Sequence, residues 1–258
     1  MTSPTALAVP ARAPALEDCA VVELRDYLLQ PGGRDVLVEL FDRAFVETQE
    51  AEGMRVIGSF TDLDRPDHFV WLRGFADMTA RRCGLESFYT GPVWAAQRDA
   101  ANATMVDASD VRLLRYARPT WSLVTPANER PRAGGGARAP ATVYRLDLCT
   151  LRAPVDAAWR RAFEREVLPL LVEHGAPPCA VLETEPAAND YPRLPVRSGE
   201  SVFAWLSRHA DADAAARADE RLACSQRWRE VVLPRLLAHS AAPMQEWRLR
   251  PTARSLLR

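Results

Sequence analysis

The chain has 258 residues, 48% hydrophobic and 26% charged, with a formal net charge of −1 at pH 7; such a composition supports a normal buried core and suits two domains of modest length. A near-neutral charge with acids dispersed among the basic residues leaves no electrostatic footprint for nucleic acid, so none is expected as a partner. All 33 basic residues are arginine, which removes Schiff-base and lysine-base mechanisms and a P-loop.

Residues 1–17 read as a disordered leader, because their apolar positions are broken by Pro4, Pro10, Arg12 and Pro14 and no charged region opens a signal peptide. Val21 to Leu29 alternates as a strand, and Pro31-Gly32-Gly33 breaks it before a helix from about Arg34 to Glu52 with Val36, Leu37, Leu40, Phe41 and Ala44 at helical spacing. Met54 to Phe60 and His68 to Arg73 read as strands around the turn at 62–67. Ala76 to Cys83 and Pro92 to Thr104 read as helices, and Val111 to Tyr116 as the closing strand. Arg118 to Pro140, rich in Pro and Gly, reads as a flexible linker. The order β-α-β-β-α-β then recurs: strand 143–151, helix 155–173, strands 179–185 and 202–206, helical 211–239, strand 244–249.

The recurrence extends to residue identities. Phe69-Val70-Trp71-Leu72 with Asp77 returns as Phe203-Ala204-Trp205-Leu206 with Asp211, a displacement of 134 residues that Trp94 and Trp228 share; Val21 to Leu24 maps onto Val143 to Leu146 at about 122. The difference places an insertion at Ala187 to Ser198. A unit of about 110 residues exceeds any solenoid or propeller repeat. The expected fold is therefore α+β: two tandem ferredoxin-like domains, residues 18–118 and 141–251 joined by 119–140, packed sheet to sheet as an intramolecular dimeric α/β barrel. Each sheet must cover the face that its helices leave bare. Glu23, Arg25 and Tyr27 on one copy and Arg145, Asp147 and Cys149 on the other, with swapped charges, are expected to face each other there.

The stretches Val22-Glu23-Leu24-Arg25-Asp26-Tyr27, His68-Phe69-Val70-Trp71-Leu72-Arg73-Gly74-Phe75 and Gly91-Pro92-Val93-Trp94 resemble the NIPSNAP family, best over residues 20 to 117, with residues 141 to 250 similar to a diverged second copy. The resemblance implies the dimeric α/β-barrel superfamily. Its members include cofactor-independent monooxygenases, lactone isomerases, polyketide cyclases and haem proteins, whereas NIPSNAP proteins themselves mostly lack an assigned reaction.

The matched positions differ in chemistry. Where the first copy has His68, Tyr89, Arg98 and Asn102, the second has Val202, Ala223, Val232 and Leu236. One working cavity and one filled core are the expected result. Candidate catalytic residues are Arg98, to stabilise an enolate or oxyanion, with Tyr89 or His68 to move a proton. Trp94, Asn102, Trp71 and Phe75 are candidate substrate-binding residues, Trp94 by stacking. His174, His209 and His239 lie near helix ends, where cap interactions explain them. No spacing of histidines or carboxylates supports a metal, and no glycine-rich phosphate loop follows a strand, so neither metal nor cofactor is expected. The five dispersed cysteines, without a C-x-x-C pair, imply no disulfide framework, and no apolar run is long enough to span a bilayer. The expectation is a cytoplasmic protein, with homodimer formation open to it, that binds a small apolar or aromatic molecule and oxygenates, isomerises or cyclises it without a cofactor. The competing class is a non-enzymatic scaffold, distinguished by a filled cavity and an exposed apolar patch.

Overall fold

The computed structural model describes residues 13–127 and 130–258. Eight antiparallel strands close a barrel in the order β1-β3-β2-β8-β5-β7-β6-β4. The strands are β1 (Val21–Leu29), β2 (Arg55–Asp62), β3 (His68–Phe75) and β4 (Met105–Tyr116) from the first half, and β5 (Val143–Leu151), β6 (Pro178–Thr184), β7 (Ser201–His209) and β8 (Gln245–Pro251) from the second. Each half contributes four adjacent strands, and two seams join them: Phe60 to Asp62 of β2 against β8, and Leu114 to Tyr116 of β4 against β6. One chain completes the barrel. Among the described residues no strand of the barrel is left with a free edge as a template for aggregation.

Helices cover the outside. In the first half α1 spans 33–51, α2 is Met78–Thr90 and α3 is Pro92–Ala103; in the second, α4 spans 157–173, α5 is Ala212–Cys224 and α6 spans 228–239. Asp77 and Asp211 cap α2 and α5, each accepting the backbone N–H three residues on at 2.7 Å. The caps preserve the repeat. Helix α1 widens to a π turn at Phe41–Phe45, and α4 does the same at the matched Phe163–Val167. A π turn frees carbonyls from the helical ladder. At its end in α1 two carbonyls accept from side chains, Ala44 O from Thr48 Oγ1 and Phe45 O from Gln49 Nε2. Gly84 lets α2 lie against the turn after α1, since a Cβ there would sit 2.8 Å from Glu52 O.

Strand alternation sends Val22 and Leu24 of β1, Val70 and Leu72 of β3 and Ala204 and Leu206 of β7 into a dry barrel interior, while Phe69, Trp71, Phe75, Phe203 and Trp205 lie under the helices. The expected meeting of charges between two sheets does not occur. Glu23, Arg25 and Tyr27 alternate with Val22 and Leu24 and are buried beneath α1 and α2, and Arg145 and Asp147 take the equivalent place in the second half. The middle of the closed barrel is filled by apolar side chains such as Val22, Leu24, Val70 and Leu72, which leaves Glu23, Arg25 and Tyr27 to the helix-covered face.

Segments outside the strands also fill the barrel. Residues 1–12 of the expected leader lie outside the described residues, but Leu16 is fully buried in the interior, and Leu123 of the expected linker and Leu256 and Leu257 past β8 join the same core. The expected linker is pinned at two further points. Arg130 pairs with Glu50 at 2.9 Å, and Pro131 O accepts from Arg254 Nε at 2.8 Å. Separate expression of residues 18–118 should therefore yield a fragment that aggregates or self-pairs, because β2 and β4 lose their seam partners and the interior loses half its wall. Size-exclusion chromatography with light scattering checks this; a stable monomer contradicts it.

Candidate functional site

Between the first sheet and α1 to α3 lies a cavity of about 350 Å³. Phe41 and Phe45, on the π turn, meet Trp71, Phe88 and Trp94: Phe41 and Trp71 pack edge-on at 4.9 Å, and Phe45 and Trp94 pack tilted at 5.8 Å. Tyr89 stands edge-on to Trp94 at 4.8 Å. Asn102 and the edge of β4 from Met105 to Ser109 form the rim.

Polar groups end this aromatic sleeve. Arg25, 2% exposed, donates from Nε to the Tyr27 hydroxyl and from Nη1 to Glu23 Oε2, both at 2.8 Å, and its guanidinium lies 5.4 Å from the Trp71 ring. Arg73 stacks on the same indole at 4.9 Å and on Phe75 at 5.5 Å. Glu23 is fully buried and is bonded by three guanidiniums: Arg25, Arg73 Nη2 at 2.6 Å and Arg81 Nε at 2.8 Å. Burial alone would push its carboxyl up; Arg73, Arg25 and Arg81 together outweigh that and hold it well below the usual carboxylate range. Burial raises the Tyr27 hydroxyl against the pull of Arg25, so it stays protonated. Its oxygen accepts from Arg25, leaving its proton for a partner in the cavity.

The second half supplies part of the wall. Strands β2 and β3 are joined by residues 63–67, but β6 and β7 by the longer 185–200, which holds the insertion read from the sequence. This loop crosses to the first half. Asp190 and Asn189 receive Arg81 Nη1 at 2.6 and 3.0 Å, Tyr191 stacks on Tyr89 at 6.3 Å, and Leu194 and Pro195 line the cavity. Asn189 braces the loop by accepting Tyr191 N and donating to Leu194 O.

Of the candidates from sequence, Trp71, Tyr89, Trp94 and Asn102 are brought together at this cavity. Phe75 is buried behind it as a shelf for Arg73. Arg98 lies outside the lining, 58% exposed and paired with Asp99 at 3.3 Å; its long stem carries the charge from α3 into water. His68 sits on the opposite face of the sheet, its Nδ1 2.8 Å from Asp26 Oδ1 at the end of the barrel. Arg25, Tyr27, Gln49, Leu194 and Pro195 are lining residues that the matched-position comparison missed. The alternation of β1 contains Arg25 and Tyr27, but by itself it points them equally to a sheet–sheet contact.

The second half inverts the charge. Arg145 bonds three carboxylates, Asp147 at 2.8 Å, Glu246 at 2.9 Å and Asp219. Burial pushes Asp147 up to about 6 against Arg145, and the neighbouring Glu246 and Asp219 add to the rise. A smaller pocket of about 280 Å³ remains here between α4 and α6, lined by Phe163, Val232 and Leu236 and without sheet residues, so the second half is not wholly filled. A pKa raised on folding means that Asp147 contributes stability fully below its unfolded value near 3.8 and loses it as pH climbs through about 6. Asp147→Asn should flatten the fall in Tm between about pH 4 and 7; an unchanged profile would place that slope elsewhere.

Residues 22–119 match the NIPSNAP family model. Residues 22–119 carry the NIPSNAP domain. An uncharacterized NIPSNAP-like domain protein from Burkholderia xenovorans is 23% identical, with 44% of this chain and 90% of that one covered and a TM-score of 0.34. Over nearly the whole length, a candidate monooxygenase from Fusobacterium nucleatum aligns with 90% of this chain and 92% of its own at 8% identity, TM-score 0.52. An anthrone oxidase-like protein aligns with 94% and 96% at 15% identity, TM-score 0.51. These two show a shared barrel fold. A comparison with curated proteins finds no match. Among the described residues, no group of three or more His, Cys, Asp or Glu is placed to hold a metal ion, and no helix is long and apolar enough to cross a membrane.

Proposed function

We propose that the cavity of the NIPSNAP domain binds a small, largely aromatic molecule, and that the chain is two tandem ferredoxin-like units, 18–118 and 141–251, of which the first does the binding. The observation that carries the reading is the sleeve of aromatic rings ending on Arg25 and Tyr27. Apolar walls with a few convergent polar groups are what a small-ligand site needs, and about 350 Å³ lies at the lower end of the usual range of roughly 300–1,000 Å³. Exposed large apolar side chains such as Val36, Val124, Val172 and Leu237 are scattered over separate elements, which gives a scaffold reading no patch to rest on.

The chemistry supported is stabilisation of an oxygen anion. The Arg25 guanidinium and the Tyr27 O–H point at the same end of the cavity, a donor pair for the enolate that forms when an aromatic ketone is oxygenated, isomerised or cyclised without a cofactor. A candidate monooxygenase and an anthrone oxidase-like protein share the fold, but the cavity and not the fold carries the argument. Calorimetric titration with bicyclic aromatic ketones tests it: wild type should bind, and Ala108→Phe, which fills the rim, should weaken binding about tenfold or more. Equal binding by both proteins would remove the ligand from this cavity.

A further inference from the structure

We infer that the ligand is an anion, an aromatic carboxylate whose charged group seats on Arg25 with its rings outward between Phe41, Trp71 and Trp94. The inference rests on the cavity being the binding site, and it adds the charge class.

The argument is a count of buried charge. Arg25, Arg73 and Arg81 are each 2% exposed or less, and all three bond the same carboxylate, Glu23. Arg81 has a second counter-charge in Asp190, at 2.6 Å on the covering loop and 27% exposed. Arg73 has a neutral partner in Gln49 Oε1 at 2.8 Å, and Arg25 a neutral one in the Tyr27 hydroxyl. Three guanidiniums against two carboxylates leave one positive charge over. An uncompensated charge away from water is costly, so the cluster is poised to gain from one more anion. The place for it is Arg25: among the three it lines the cavity, and its Nη2 has no hydrogen-bond partner among the described residues. Trp71 Nε1, also on the lining, is buried and has none either. Asp107 is the negative group at the rim, exposed and accepting Ser109 N–H, where water screens it from the cavity floor. A planar carboxylate meets a guanidinium in paired charge-assisted hydrogen bonds, and an aryl body fits the sleeve beyond.

The test uses 2-naphthoate and its neutral isostere 2-naphthamide, titrated calorimetrically into the full chain at neutral pH. The expected result is a preference of about tenfold or more for the carboxylate in wild type, lost in Arg25→Met and partly kept in Arg25→Lys. Should Arg25→Met fail to fold, the wild-type comparison and the rise in Tm with 2-naphthoate but not the amide still decide the matter. Equal affinity for acid and amide overturns the charge inference and leaves the cavity standing. A carboxylate preference that survives in a folded Arg25→Met variant removes Arg25 as its seat. Absence of binding by either compound overturns both the inference and the reading it rests on.

Discussion

Glu23→Gln should lower stability by about 3–5 kcal/mol, because it leaves the buried guanidiniums of Arg25, Arg73 and Arg81 without their common counter-charge. For a chain of this length that is a fall in Tm of about 10 °C or more. The same carboxylate gives wild type a pH signature of definite sign. Its pKa is depressed in the fold, so its contribution is fully present above the unfolded value of 4.5 and is lost as pH falls from there to well below the usual carboxylate range. Thermal melts of wild type and Glu23→Gln between pH 2 and 7 should therefore converge at the acid end. A variant that melts within a degree or two of wild type at pH 7 would mean that the three arginines find solvent or other partners, and the charge count would fail with it.

Replacing residues 185–200 with the short 63–67 turn of the first half should weaken ligand binding by about tenfold or more, roughly 1.4 kcal/mol, while the barrel still folds. The loop supplies Leu194 and Pro195 to the cavity wall, holds Tyr191 against Tyr89 and gives Asp190 to Arg81; at its base Glu185 N bonds Leu113 O and Arg197 N bonds Val111 O. Shortening the connection changes closure entropy by about 1 kcal/mol, and Arg81, which loses Asp190, keeps Glu23 as its counter-charge. Two measurements separate the roles: Tm within several degrees of wild type, and loss of affinity for 2-naphthoate. Undiminished affinity would show that the first half closes its own cavity.

Much of the fold was legible because its signals are local and doubled. The period of β1, the breaks at Gly53 and Gly175, the aspartates at the starts of α2 and α5 and the tryptophans at 94 and 228 occur in both halves, so each copy checked the other. The insertion was found by the same comparison. What failed was the choice of face. Period-two alternation says that Glu23 and Arg25 share a side, and nothing in it says whether that side meets helices or another sheet. The aromatic neighbours Phe69, Trp71 and Phe75, paired in register with Tyr27, Arg25 and Val21, decide it once the strands are aligned. Helical spacing places Trp94, Arg98 and Asn102 on one side of α3 but carries no information about where a long charged side chain goes, and Arg98 goes to solvent. The covering loop was out of reach for a different reason: the Arg81–Asp190 pair joins residues more than a hundred positions apart in different copies, and no periodicity encodes it.

The two seams, β2 to β8 and β4 to β6, have a consequence for how such a protein can diversify. An assembly of identical subunits must carry any change twice, so an insertion that covers one cavity also covers its twin, and a charge reversed on one sheet is reversed on both. Tying the copies into one chain lifts that constraint. One half could gather arginines while the other gathered carboxylates, and a loop grown by the second could serve the first. The covering loop is then an intramolecular partner at fixed effective concentration, so dilution cannot strip it from the site.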